Sequence, residues 1–358
     1  MANFNDFVMW RGDLSFIQAP FCEVDGAILS VVSYFDYDIV ISEEELPFPL
    51  PYKNVISDYL SVDDSGELRL GLIFPTERYI KLLKLLKKSP RYADIQISDF
   101  FNEQNRENCY QFSGVTFHLS DGSIAIVFRG TDDTLVGWRE DFCMSFMDEI
   151  PSQRYAVDYV NFIADKYPST PIYICGHSKG GNLAVYSSIF ARADVKYRIV
   201  KAYSYDGPGL SDKILDSAEY NDVATKICTL IPQDSTIGAM FNNGSFKVVR
   251  SRGSGVLQHD PMMWEVIGAE FVKLPALTKK GLKKQTSFNN AMQKMTQEEK
   301  ENFVNIFFSA IEKTGAHTLT DINDAKLKNL SVIIKSINGL SKQDRELMLD
   351  LIKRLLSK

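Results

Sequence analysis

Tyr173-Ile174-Cys175-Gly176-His177-Ser178-Lys179-Gly180-Gly181-Asn182 carries the pattern Gly-x-Ser-x-Gly between a short apolar run, Pro171 to Cys175, and a segment of helical spacing, Gly180 to Ala193. A serine between two glycines at such a junction predicts a strand that turns sharply into a helix. The turn is too tight for side chains on its flanks, and its strain pushes the serine hydroxyl out at the carboxyl edge of a sheet. Ser178 is therefore the candidate nucleophile. The backbone N–H of Lys179, at the start of the helix, would face an oxyanion formed on a carbonyl attacked by Ser178, with the helix dipole adding positive potential. The plainer alternative is a glycine-rich turn that only packs a helix close to a sheet.

The flanking sequence alternates strand and helix patterns. Gln111 to Leu119 and Ser123 to Arg129 predict a hairpin through Ser120-Asp121-Gly122, because β-branched and aromatic residues flank an Asp-Gly. Arg154 to Lys166 predicts a helix, and strands are expected near 201–205, 226–231 and 245–251. Helical spacing also marks 24–40 and 76–88, the latter closed by Pro90. Such alternation argues for an α/β architecture, a mostly parallel central sheet with helices on both faces. From 289 to 358 the chain has helix patterns and no convincing strand. The expected organisation is a domain over 1–288, its N-terminal part helical and irregular, with an α-helical C-terminal extension over 289–358.

A serine hydroxyl needs a base. Of the four histidines, His177 adjoins Ser178, where a neighbour on so sharp a turn points away from the hydroxyl; His118 lies on an early strand, and His317 lies in the helical extension. His259, between the strand ending near Ser251 and a helix at Pro261, is left as the general base. A carboxylate must hold its tautomer, and the chain order Ser, acid, His leaves two aspartates at strand ends, Asp206 and Asp234. The acid usually follows the later strand, beside the histidine loop, which favours Asp234 and leaves Asp206 as a turn former before Gly207-Pro208. The loop Phe128-Arg129-Gly130-Thr131 after an earlier strand offers the second oxyanion donor at Thr131, with Trp138 and Asp141 expected to pack and hydrogen-bond that loop.

Length and composition bound the alternatives. A chain of 358 residues with 45% hydrophobic and 24% charged residues is ordinary for a globular protein and long enough to carve a pocket in its core. With 40 Lys and Arg against 46 Asp and Glu, it lacks a general electrostatic footprint for nucleic acid. The five cysteines are scattered without metal-ligand spacing, so no metal and no other cofactor is expected. The N-terminal residues lack a basic and then apolar leader, and no 18-residue apolar run occurs, so a cytoplasmic location is expected. Between Lys273 and Gln297 stand six lysines and no carboxylate, interleaved with Leu274, Leu277, Leu282 and Phe288. That is either a solvated linker broken by Pro275 and Gly281 or a segment that makes peripheral contact with an anionic membrane.

Phe-Arg-Gly-Thr followed by Trp138 and Asp141, then Gly-His-Ser-Lys-Gly-Gly, then the late Gln258-His259-Asp260, resembles the class 3 lipases and, more closely, a bacterial lipase-like family of unknown function within the α/β-hydrolases. The likeness runs from Trp10-Arg11-Gly12-Asp13 to about Trp264, and more loosely through the tail. It implies an α/β-hydrolase fold, an ester-hydrolysing triad of Ser178, Asp234 and His259, and oxyanion donors at Thr131 and Lys179. The chain departs from class 3 lipases at Lys179, where a small or apolar residue is common, and in lacking a secretion signal. The expected activity is that of a serine hydrolase acting on acyl or lipid esters. An acyltransferase using the same triad and a non-catalytic binding module on the hydrolase fold are the alternatives.

Overall fold

The computed structural model describes residues 2–42, 44, 45, 47–62, 76–318 and 321. Its centre is a nine-stranded sheet, in the order β1 (Leu50–Pro51), β2 (Gln96–Asn105), β3 (Tyr110–His118), β4 (Ile124–Phe128), β5 (Ile172–His177), β6 (Ile199–Tyr205), β7 (Ile227–Pro232), β8 (Phe246–Val249) and β11 (Lys273–Leu274). The strands from β4 to β8 are parallel, whereas β1 to β4 and the last pair, β8 with β11, are antiparallel. The sheet is thus mixed, with its parallel heart where the sequence places it. A small hairpin, β9 (Val266–Ile267) with β10 (Glu270–Phe271), stands apart.

Helices α1 (Phe4–Arg11), α2 (Glu23–Val32), α3 (Tyr52–Val62), α4 (Thr76–Leu86) and α5 (Pro90–Ala93) precede β2. Between β4 and β5 come α6 (Leu135–Cys143) and α7 (Pro151–Lys166); between β5 and β6, α8 (Lys179–Phe190) and α9 (Ala193–Arg198); between β6 and β7, α10 (Asp212–Leu215) and α11 (Ala218–Val223). Alternation along the parallel strands assigns the two faces. Ala125, Val127 and Cys175 pack with α2 and the other early helices, while Ile126, Phe128, Ile172 and Ile174 pack with α7 and α8. Helices therefore cover both faces, and a strand-to-helix elbow sits in mid-sheet at the β5–α8 junction: this is an α/β-hydrolase fold.

Two long helices, α12 (Lys279–Gln293) and α13 (Gln297–Glu312), follow β11. Thr278 caps α12, and Gly281 lies in its first turn because the Gln233 carbonyl comes so close that an added Cβ would stand 2.3 Å from it. The helix runs unbroken through position 288/289, where the sequence reading sets a boundary. Helix α13 lays Phe303, Val304 and Phe308 on Trp138, Phe142 and Phe146, which belong to α6 and the turn after it, so this part of the expected extension packs on the sheet domain. Residues 319, 320 and 322–358 of that extension lie outside the described residues. Two lysines of the 273–297 run are engaged within the protein, Lys273 with Glu23 and Glu270, and Lys284 with the Asp234 carbonyl and the Thr236 hydroxyl. Among the described residues no helix is long and apolar enough to cross a membrane.

Candidate active site

Ser178 has φ 58° and ψ −130°, a backbone conformation that costs energy for a residue with a side chain and persists only where its surroundings enforce it. They do so by close packing. A Cβ on Gly176 would stand 2.0 Å from the Gly180 carbonyl oxygen, and one on Gly180 would stand 2.1 Å from the Phe128 carbonyl oxygen. Neither flanking position admits a side chain. The Ser178 N–H donates to the Tyr205 carbonyl at 3.0 Å, and its own carbonyl receives Gly181 N–H at 2.9 Å as α8 begins. The residue is half-buried, unlike its fully buried neighbour His177.

His259 lies beside this elbow. Its carbonyl accepts from His177 Nε2 at 2.7 Å, and the two imidazole rings are 4.3 Å apart, centre to centre. With Nε2 donating, His177 Nδ1 accepts from the Tyr34 hydroxyl at 3.0 Å. Burial and the adjacent His259 pull His177 well below the ordinary imidazole range, so the ring is neutral and acts as a spacer between the elbow and the His259 loop. Tyr34 ties in a third segment. The Gly130 N–H is directed at its oxygen, and a Cβ on Gly130 would meet that oxygen at 2.1 Å and the Ser178 Cβ at 3.0 Å. The Phe128-Arg129-Gly130-Thr131 loop is thereby pressed against the serine. From the other side, Asp260 fixes the histidine loop by accepting from Tyr79 at 2.8 Å and Arg78 at 3.0 Å, both on α4.

The carboxylate that meets His259 is Asp206, which corrects the sequence expectation of Asp234. Asp206 Oδ2 is 2.7 Å from His259 Nδ1, and its Oδ1 accepts from Ser235 Oγ at 2.5 Å and Gly238 N–H at 3.1 Å. The side chain is fully buried, and the residue has φ 52°, a left-handed turn that Asp tolerates better than most residues and that aims its carboxylate at the histidine. Asp234 instead receives the Thr278 hydroxyl at the cap of α12, and its N–H donates to Gln258 Oε1 at 3.3 Å. It stands on the outer side of the loop whose inner side, Ser235 and Gly238, holds Asp206.

Thr131 lies in the loop after β4, and Lys179 opens α8. Thr131 Oγ1 donates to Asp141 at 2.5 Å. The Lys179 side chain turns away from the serine into the protein, where its ammonium donates to Glu140 at 2.9 Å and to the Gln111 carbonyl and side-chain oxygens at 2.6 and 3.0 Å, with neither Lys179 nor Glu140 exposed. Glu140 also receives Gln111 N–H, Ser152 N–H and Ser152 Oγ. The same residue thus starts the helix behind Ser178 and ties α6 to the elbow. His118 bonds Ser98 on the far side of the sheet, and His317 lies in a turn with Asp321. Tyr34, Ser235 and Gly238 are the site residues the sequence reading missed. Among the described residues no cluster of three or more His, Cys, Asp or Glu is placed to hold a metal.

Burial pushes Asp141 up to about 7, although the Lys179 charge and the Thr131 hydroxyl pull it back. The folded protein thus keeps a proton that the unfolded chain, near the ordinary value of 3.8, gives up. Stability from this group is complete below pH 4 and is lost as the pH rises through about 7, with a slope of at most about 1.4 kcal/mol per pH unit. Asp141→Asn is expected to flatten that part of the stability profile, read as the difference between the two proteins in urea unfolding from pH 4 to 8. Parallel profiles would show that Asp141 is ionised throughout.

The sequence model of a family described as Mbeg1-like matches residues 86–309, more than half of the chain. No curated protein sequence matches it. Solved structures similar to the chain include the Rhizomucor miehei lipase propeptide complex, at 13% identity and TM-score 0.38, covering 68% of this chain and 79% of that one. M37 lipase aligns at 12% identity and TM-score 0.38 over 60% and 69% of the two chains. A mutant form of MDLA from Penicillium cyclopium aligns at 8% identity and TM-score 0.37 over 71% and 86%.

Proposed function

The chain belongs to the Mbeg1-like family, and from the geometry around its elbow we propose that it is a serine hydrolase that cleaves carboxylic esters of acyl or lipid type. The observation that carries this reading is the contact of 2.7 Å between His259 Nδ1 and the fully buried Asp206, set beside a serine in a strained elbow. Asp206 keeps the proton of His259 on Nδ1, which leaves Nε2 as the acceptor. Ser178 Oγ attacks the ester carbonyl as His259 Nε2 takes its proton. The carbonyl oxygen becomes an oxyanion within reach of the Thr131 and Lys179 N–H groups, the Thr131 hydroxyl being engaged by Asp141.

His259 then gives its proton to the leaving alcohol, and an acyl ester remains on Ser178. Water attacks that ester with His259 again as base, which releases the acid and restores the serine. The neutral His177 between the elbow and the His259 loop fits a site whose base must be held in register with its nucleophile.

The test is labelling with a fluorophosphonate, followed by peptide mass spectrometry and a p-nitrophenyl acetate assay on the same sample. The expected result is a single adduct on the peptide bearing Ser178, with turnover falling in proportion to labelling. Turnover that survives full labelling, or protein that neither labels nor turns over the ester, would overturn the reading.

A further inference from the structure

All five cysteines of the chain are free thiols. Two of them, far apart in sequence, meet: the Cys143 thiol donates to the Cys109 sulfur, and both residues are half-buried. Cys109 ends the turn 106–109 between β2 and β3, in which Asn108 N–H donates to the Asn105 side-chain oxygen at 2.9 Å. Cys143 is the last residue of α6.

The turn and the helix are held together by more than the two sulfurs. Gln111, two residues beyond Cys109, donates its N–H to Glu140 at 3.1 Å, and Glu140 stands one helical turn before Cys143 on the same side of α6. Cys109 has φ 53°, a left-handed backbone that costs energy for a residue with a side chain and persists only where its surroundings hold it. The sulfur contact therefore sits in a fixed seam between hairpin and helix.

The two thiols are not equivalent. The hydrogen bond from Cys143 holds the Cys109 thiol below its ordinary value, against the effect of burial and with help from the Arg139 charge, whereas Cys143, the donor, is pushed up. Burial raises the other three, Cys22, Cys175 and Cys228. The thiolate is the reactive form of cysteine, so Cys109 is the sulfur that reacts first, with Cys143 already in contact with it.

We propose that Cys109 and Cys143 form a peroxide-responsive dithiol, Cys109 being the sulfur oxidised first and Cys143 the one that closes a reversible disulfide between the β2–β3 turn and the end of α6. The Cys109 thiolate attacks one oxygen of a hydroperoxide and breaks the O–O bond, giving a sulfenic acid and, from hydrogen peroxide, hydroxide that leaves as water. The Cys143 sulfur then attacks the Cys109 sulfur, and its proton leaves with the displaced hydroxide as a second water. Two thiols are oxidised and one peroxide is reduced. The site is independent of the hydrolase reading, although the helix it fastens carries Glu140 and Asp141, the partners of Lys179 and Thr131.

The test treats the reduced full chain with a small excess of hydrogen peroxide, blocks remaining thiols with iodoacetamide, and maps tryptic peptides without reduction. The expected product links peptide 107–129 to peptide 140–154, which carry Cys109 and Cys143 as their only cysteines, and dithiothreitol reverses it. The oxidised protein is expected to melt at least about 3 °C higher than the reduced one, a shift absent from Cys109→Ser and Cys143→Ser. In Cys143→Ser the reaction should stop at a sulfenic acid on Cys109, trapped by dimedone. Peroxide that leaves both cysteines open to alkylation, or that oxidises Cys109 in the wild type without linking it to Cys143, would overturn the proposal. A link that forms without raising the melting temperature would overturn its fastening role.

Discussion

Asp206→Asn is expected to lower kcat/KM for p-nitrophenyl esters about a thousand- to ten-thousand-fold, while Asp234→Asn leaves it within about twofold. The amide that replaces the Asp206 carboxylate has nearly the same volume, and its oxygen can still accept from Ser235 Oγ and Gly238 N–H. Its nitrogen, turned to His259, is a donor. His259 Nδ1 must then accept, which moves the imidazole proton to Nε2, and a protonated Nε2 cannot take the proton of Ser178. The fold survives and the base is disabled.

Asp234 has no comparable duty, since its carboxylate receives the Thr278 hydroxyl while its N–H and carbonyl bond the Gln258 amide oxygen and the Lys284 ammonium. Steady-state kinetics of the two variants, with melting temperatures to confirm folding, check the contrast, and the fluorophosphonate labelling rate should follow kcat/KM. Large loss at 234 and retention at 206 would reverse the assignment.

The strand-turn-helix elbow around Ser178 was legible in the sequence because its demands are local. Gly176 and Gly180 are required by backbone contacts within the elbow and with β4, so strand, turn and helix are written into ten consecutive residues. His259 was legible by elimination among four histidines. The carboxylate that meets it was not, because chain order says which strand ends are available and not which side chain turns inward. Asp206, before Gly207-Pro208, has the local signature of a turn former, and it is one; the left-handed turn is what delivers its carboxylate. Tyr34 carries no local signal at all, since its contact with His177 spans 143 residues.

The same division holds for the fold. Strands β4 and β5 are runs of mostly buried, largely apolar residues, whereas β2 escaped notice because Asp99, at φ 53°, breaks the alternation with a register shift between Ser98 and Phe101. Gly281, read from sequence as an interruption of the lysine run, is instead required inside α12 by the Gln233 carbonyl.

Lys179→Met is expected to cost about 3–5 kcal/mol of stability, measured by guanidinium unfolding. The ammonium is the one positive charge bonded to Glu140, and both side chains are fully buried. Removal of one partner leaves a carboxylate that has three neutral donors, from Gln111 and Ser152, and no counter-charge. Addition of Glu140→Gln should restore all but about 1–2 kcal/mol, because a neutral amide removes the stranded charge and keeps an acceptor for Ser152. The coupling between the two sites is thus expected to be large and favourable to the double variant.

Catalysis should respond differently. If Lys179 serves the oxyanion through its backbone N–H, the methionine variant keeps that donor, and at a temperature where it remains folded its kcat/KM should stay within about tenfold of the wild type. A variant that is stable but inactive would mean that the ammonium itself acts on the substrate. One that is unstable yet active would explain why a lysine follows the elbow serine: the side chain serves to fasten α6 behind the elbow, and the chemistry uses only the peptide group.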